Sequence, residues 1–314
     1  MRFKSNTTAS VIIPSYNSAK TIEISIKYIL KQTVINRINE IIIVDSSDDG
    51  VTKDTLNKFG SEKIFILHSG TRVMPAIQRN LGAKRATGEV LLFIDSDAYP
   101  AFDWAEKILE VYESGHSAGG GSYRIPEFQS KNNLAKAQYY LEFNEFIDRG
   151  GKRFKKIIPS CNFFCDRKLF LELGGFPEIR ASEDCLFSLK INKSEKMIFL
   201  PDAIVYHIFR EQKDHFSNNQ KLLGNYVYKY RKLYYKSFYY NRILVKVLLP
   251  AFLFVKFMRI NSRIILSGWS HFSNYIMSFP LFLKGLIYWG QGFLIASKDK
   301  SNNPPCERRL DLEK

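Results

Sequence analysis

The stretch VLLFIDSDAYP, Val90 to Pro100, decides how the chain is read: five strand-type apolar residues run without a break and then stop in Asp95-Ser96-Asp97. An unbroken apolar run marks a strand buried on both faces, as in a parallel sheet covered by helices. Acid at i and i+2 past its end falls where open α/β sheets bind ligands, outside the carboxyl ends of the strands. A solvated turn would use Asp equally well, so the flanking sequence has to choose.

Upstream the same pattern repeats. SVIIPSYN (10–17) reads as a strand, Ile22, Ile26, Ile29 and Leu30 recur at helical spacing between about Ser18 and Lys31, and EIIIVDSS (40–47) is a second strand ending in polar residues. KIFILHSG (63–70) is a third strand, and MPAIQRNLGAKRATG (74–88) reads as a helix closed by Gly88 before the strand that opened this section. Strands alternating with helices predict an α/β domain with a mainly parallel sheet flanked by helices. Asn17, Asp45, Asp95 and Asp97 then collect along one edge.

Downstream the pattern loosens. GGGSYRIP (119–126) reads as a flexible crossing, about 134–147 as a helix, and PSCNFFCDRKLFLELGGFPE (159–178) as a strand, a short helix and a Gly-Gly turn. SEDCLFSLKI (182–191) begins another helix, and KMIFLPDAIVYHIF (196–209) reads as two short strands separated by a Pro-Asp turn. Four cysteines without metal-site spacing read as free thiols.

The charge is uneven. Of a net +15, most sits in the last third: Arg210 to Arg263 holds twelve Lys or Arg against Glu211 and Asp214. Tyr-interleaved basic sequence suits nucleic acid, a membrane surface or an anionic substrate. The neighbours favour a membrane, because ILVKVLLPAFLFVKFM (243–258) and YIMSFPLFLKGLIYWGQGFLIA (275–296) follow, each interrupted by Lys and Pro. Interfacial contact, a spanning helix and a soluble helix pair all remain open at this level. Nucleic acid is not an expected partner, since no binding motif accompanies the charge. The N-terminal MRFKSNTTAS lacks a signal-peptide pattern, so the α/β part is expected in the cytosol, at the cytoplasmic face of the membrane. The expected organisation is a catalytic domain over 1–225, a basic, hydrophobic helical membrane-associating module over 226–297, and a disordered tail over 298–314.

The order of SVIIPSYN, VDSSDDG, RNLGAKRATGEVLLFIDSDA, LGGFPE…SEDCLF and LPDAIVYH resembles the family 2 glycosyltransferases of the GT-A fold over about residues 9 to 210. The resemblance implies a Rossmann-like GT-A domain, a nucleotide-diphosphate sugar as donor (UDP-sugar favoured) and Mn²⁺ or Mg²⁺. It implies Asp97 as the carboxylate on the metal, with Asp95 and Ser96 toward the ribose and sugar. His207 resembles the histidine that completes such a site, and imidazole favours Mn²⁺ over Mg²⁺. In the Glu183-Asp184 pair, Asp184 resembles the general base for direct displacement with inversion, although the same pair would suit the first turn of any helix. Asp45 resembles the acid that meets the base, Pro14, Tyr16 and Asn17 line that pocket, and Arg79 resembles the residue that reaches base or diphosphate. Ser46 stands where the family commonly has acid.

A processive synthase of this family would carry Gln-x-x-Arg-Trp after the base; the stretch around Gln220 does not, which favours single-sugar transfer to a lipid-linked or glycan acceptor. Alternatives are a polyprenyl-phosphate sugar synthase of the same family and an inactive membrane-tethered nucleotide-binding scaffold.

Overall fold

The computed structural model describes residues 6–235 and 242–298. The disordered tail expected over 298–314 therefore lies, but for its first residue, outside the described residues, as does Cys306. Contacts divide the chain into two compact units, one containing the residues up to Arg124 and Asp148–Ile208, the other Ile125–Ile147 and the residues from Phe209 onward.

The first unit is an α/β sheet domain. Its elements are β1 (Ala9–Ser15), α1 (Ala19–Leu30), β2 (Ile38–Asp45), α2 (Gly50–Asn57), β3 (Ile64–His68), α3 (Pro75–Arg85), β4 (Val90–Ile94), β5 (Ala98–Pro100), α4 (Trp104–Glu113) and β6 (Ala118–Arg124). After α5 (Asn133–Phe143), which belongs to the second unit, come β7 (Arg153–Lys155), β8 (Asn162–Asp166), α6 (Arg167–Glu172), α7 (Glu183–Ile191) and β9 (Met197–His207).

The strands form one mixed sheet in the order β3-β2-β1-β4-β8-β6-β9-β5, with β7 also on β9. The first four are parallel, as their apolar runs require, and β1 and β4 are buried throughout. β8 runs antiparallel to β4 and β6, and β5 antiparallel to β9. Parallel register sets Ser15, Asp45 and His68 side by side at the carboxyl edge.

Three local readings change. The Gly119–Gly121 run is not a flexible crossing but the middle of β6, buried between β8 and β9. A Cβ on Gly121 would sit 1.8 Å from the Ala203 carbonyl oxygen and one on Gly120 2.1 Å from that of Asn162, so the glycines serve close backbone approach. Gly88 does not close α3, which ends at Arg85; it lets the chain pass the backbone of Ala9 and Ser10, 2.5 Å from where its Cβ would lie. Pro201-Asp202 is not a turn, because β9 runs through it as one strand with a register shift against β6. The helices α2 and α4 carried no sequence signal that was singled out; Asp49 caps α2, accepting from the Thr52 N–H at 2.9 Å.

An aromatic cluster fixes the back of the sheet. Phe93 of β4 meets Phe176 at 5.3 Å between ring centroids and Phe170 of α6 at 5.2 Å, and Phe187 of α7 lies 4.9 Å from both Phe170 and Phe176. Phe187 is fully buried, and removing such a ring costs about 3–5 kcal/mol. The start of α7 is thereby tied to β4, the strand that ends in Asp95.

The second unit is helical, with α5, α8 (Lys213–Tyr235), α9 (Arg242–Ile265) and α10 (Trp269–Lys298). The boundary expected at residue 225 falls inside α8. Gly224, next to it, is a packing glycine rather than a break, its Cβ position lying 1.9 Å from the Trp289 carbonyl oxygen. Tyr228, Val245, Leu249, Trp289, Phe293 and Ala296 make the core that α8, α9 and α10 share.

Candidate active site

The carboxyl edge of the sheet brings the anticipated residues into three groups. At its centre is Arg79 on α3, whose side chain is 4% exposed. Nη2 donates to Asp95 Oδ1 at 2.6 Å and Nη1 to Glu183 Oε1 at 2.8 Å, so one guanidinium joins the end of β4 to the first turn of α7. Burial works against this charge, and the carboxylates of Asp95 and Glu183 outweigh it, holding the guanidinium more firmly protonated than usual. Arg79, expected to reach the base or diphosphate, is thus placed between two acids.

Glu183 and Asp184 open α7 behind Ser182, a non-glycine residue at φ +66°. Burial, then the charge of Asp184, push the Glu183 carboxyl up to about 7 against the pull of Arg79. Burial also raises Asp184, against the Cys185 N–H that donates to its Oδ1 at 2.7 Å. A carboxylate raised in this way is a stronger base, and Asp184 keeps partial access to solvent. The buried Cys161 thiol and Tyr123 phenol lie beside this group, each pushed well up by burial and further by the Asp95 charge.

The second group is Asp97 with His207. The tight turn after β4, closed by Ala98 N–H donating to the Asp95 carbonyl, carries Asp97 away from Arg79 and toward β9. Tyr99 stacks on Tyr206 at 5.0 Å in the β5–β9 ladder, and the neighbouring register sets Asp97 Oδ1 3.7 Å from His207 Nε2. Ser96 shares the partly open turn. One carboxylate oxygen and one imidazole nitrogen are a fitting donor set for Mn²⁺ or another divalent ion that takes its remaining ligands from phosphate oxygens and water. Among the described residues no group of three or more His, Cys, Asp or Glu is placed to enclose a metal by itself.

The third group surrounds Asp45. Its side chain is 2% exposed, and its carboxylate accepts from Ser15 Oγ at 2.8 Å and Ser47 Oγ at 2.6 Å, with His68 Nδ1 at 3.4 Å. Asp45 is thus buried at the carboxyl edge, between the ends of β1 and β3. The open rim is made by Tyr16 and Asn17 together with Asp48: Asn17 Nδ2 donates to Asp48 at 2.7 Å, the Tyr16 hydroxyl at 3.1 Å, and Asn17 takes φ +48° to do so. These bonds, that from Asn17 first, hold Asp48 below the usual carboxylate range. Arg72 lies over the Tyr16 ring, 4.4 Å from its centroid. Pro14 is buried in β1. Gln78 donates to the carbonyls of Ser15 and Val44, each at 2.7 Å, and so closes the gap at Ser46. Asp48, Arg72, His68 and Gln78 are not among the residues expected from the sequence; for Asp48 and Arg72 the available signal is acid and base within loops that leave parallel strands, and for His68 and Gln78 there is none.

A family model described as glycosyl transferase family 2 matches residues 10–174. Glycosyltransferase AglE of Haloferax volcanii is 26% identical over 171 residues, 54% of this chain and 55% of that protein. Escherichia coli UDP-Glc:alpha-D-GlcNAc-diphosphoundecaprenol beta-1,3-glucosyltransferase WfgD is 26% identical over 216 residues, 67% of this chain and 80% of that protein. The chain thus spans about half of the first relative and most of the second. Among solved structures, the mannosyltransferase PcManGT from Pyrobaculum calidifontis, in complex with GDP-Man and Mn²⁺, aligns with a TM-score of 0.61 at 19% identity, covering 94% of this chain and 87% of that one. The fold is GT-A-like.

Proposed function

Since the chain belongs to glycosyl transferase family 2, we propose that it transfers a single sugar from a nucleotide-diphosphate sugar, a UDP-sugar first among them, to a hydroxyl of a lipid-linked or glycan acceptor with inversion. The observation that carries this reading is the Arg79 bridge, which locks the base-bearing turn of α7 onto the strand end that also leads to Asp97 and His207.

In the proposed reaction the acceptor hydroxyl gives its proton to Asp184 as its oxygen attacks the anomeric carbon. The bond from that carbon to the diphosphate oxygen breaks, and its electron pair leaves with the nucleoside diphosphate. Attack opposite the leaving group inverts the anomeric centre. Burial helps Asp184 by raising its affinity for the proton. Glu183 anchors the turn through Arg79, and Asp95 and Ser96 face the donor's ribose and sugar. Asp97 and His207 would hold a divalent cation, which when bound supplies positive charge to the departing diphosphate. Tyr16, Asn17, Asp48 and Arg72 form the rim against which the base rests, with Asp45 setting the floor.

The name of WfgD, a UDP-Glc-dependent enzyme acting on a diphosphoundecaprenol-linked sugar, supports a UDP-sugar donor and a lipid-linked acceptor. The basic C-terminal third supports work at the cytoplasmic face of a membrane, where anionic lipid attracts it. The test is transfer from a panel of UDP- and GDP-sugars to a diphospholipid-linked saccharide, with the anomeric configuration of the product read by NMR. Inverted product supports the reading; retained configuration or transfer to a bare polyprenyl phosphate contradicts it.

A further inference from the structure

The C-terminal unit leaves an apolar face that its own packing does not use. α9 buries Val245, Leu249, Ile260 and Ile264 along one side of the helix, and the first two join the core shared with α8 and α10. Its opposite side is apolar as well: Ile243, Val247, Phe254, Met258 and Ile265 recur at steps of four and seven residues and are 51–73% exposed. α10 repeats the arrangement with Trp269, 79% exposed, and Ile276, Leu283, Ile287 and Ile295. A helix in contact with water on its outer side carries polar residues there. These two carry mainly large apolar ones, beyond the scattered exposure that needs no explanation.

Charge identifies the occupant. Between Arg242 and Lys298 there is no Asp or Glu, and among the described side chains of the two helices the exposed charged ones are Lys246, Arg259, Lys284 and Lys298, all basic. An apolar stripe with a wholly cationic border matches the surface of an anionic bilayer, whose headgroups meet the lysines while the acyl boundary takes the side chains. A second copy of the chain would set cation against cation.

The packing also separates lying on the membrane from crossing it. α10 is the one helix among the described residues long and apolar enough to span, and 44% of its most apolar window is buried within the protein. Its inner side presses on α8 at backbone contact distance: a Cβ on Gly292 would fall 1.9 Å from the Lys221 carbonyl oxygen. α8 carries Lys213, Asp214, Asn218, Asn219, Gln220 and Lys221, which hydrocarbon would not solvate. A spanning α10 would drag this helix into the bilayer core.

We infer that the outer faces of α9 and α10 form a docking surface that lies in the interface of an anionic membrane, with α8 kept on the aqueous side. The inference deepens the lipid-linked acceptor reading, on which it rests, by naming the surface through which such an acceptor is reached. Its test bypasses catalysis: the purified full chain is sedimented with vesicles of phosphatidylcholine alone and of phosphatidylcholine with phosphatidylglycerol.

Wild type should partition onto the mixed vesicles and be released by salt. Phe254→Gln combined with Met258→Gln should weaken partitioning about a hundredfold, the effect of withdrawing two large apolar side chains. Lys246→Glu with Lys284→Glu should abolish the preference for anionic lipid. All four positions are exposed, so circular dichroism and nucleotide titration should be unchanged in both variants. Variants that sediment like wild type overturn the inference. Loss of self-association rather than of vesicle binding in the glutamine variant assigns the face to a second copy and overturns it too, as does resistance of the vesicle-bound chain to alkaline extraction, the mark of a spanning helix. Vesicle binding with no nucleotide bound would count against the transferase reading alone.

Discussion

Replacing Arg79 by Met keeps an unbranched stem and removes the fork that joins Asp95 to Glu183. Two charge-assisted bonds disappear, and two carboxylates that shared a cation are left beside each other and beside Asp184. Breaking a buried ion pair from one side costs about 3–5 kcal/mol. The Asp95 side chain is 26% exposed, so water takes over part of its solvation, while that of Glu183 is only 10% exposed. The loss should therefore sit near the lower end, about 3 kcal/mol at pH 8, measured by urea unfolding followed by circular dichroism.

The deficit should also depend on pH, with a definite sign. Glu183 already titrates at about 7 in the folded chain against 4.5 for an ordinary glutamate, so between those values the folded state holds a proton that the unfolded state has released. Such a group stabilises the fold at the acidic end, and that contribution fades as pH rises through 7. Without the guanidinium its affinity for the proton increases further, so Arg79→Met should be more nearly tolerated at pH 5.5 than at pH 8. Arg79→Lys keeps the charge without the fork and should lose about half as much. A cost below about 1 kcal/mol at pH 8, or a cost independent of pH, would refute the bridge as the element that holds the Glu183-Asp184 turn.

Asp184→Asn should lower kcat by about 10²–10⁴ while leaving the melting temperature at or above wild type, because a neutral amide replaces a carboxyl that burial disfavours as an anion. Gly121→Ala should prevent folding, read as loss of soluble protein, since its Cβ would lie 1.8 Å from the Ala203 carbonyl oxygen inside the sheet. Ser182→Gly relieves the left-handed backbone at φ +66° and should raise stability by about 0.5–1 kcal/mol in thermal unfolding, the strain relieved less the entropy that glycine adds to the unfolded chain.

Much of the site edge was legible because its signal is local. The apolar runs of β1, β2 and β4 end where their polarity changes, and parallel pairing then gathers Asp45, Asp95 and Asp97 without further information. The partners of Arg79 were not legible: Asp95 is 16 residues away and Glu183 104, and only the packing of α3 and α7 on the sheet brings them together. The same holds for Gln78, whose carboxamide serves two strands at once. The glycines of β6 misled for a physical reason, since local propensity counts Gly against a strand while the close approach of β8 and β9 demands it. Pro201 misled in the same way, because a register shift accommodates it within β9.

The most direct test of the account is calorimetric titration of the full chain, in detergent, with UDP and with GDP, each with and without Mn²⁺, and of Asp97→Ala and His207→Ala under the same conditions. The account predicts binding of UDP that strengthens with Mn²⁺, with the metal-dependent part lost in both variants. Mn²⁺-dependent binding that survives in both variants, or no binding of either nucleotide to the wild type, would contradict it.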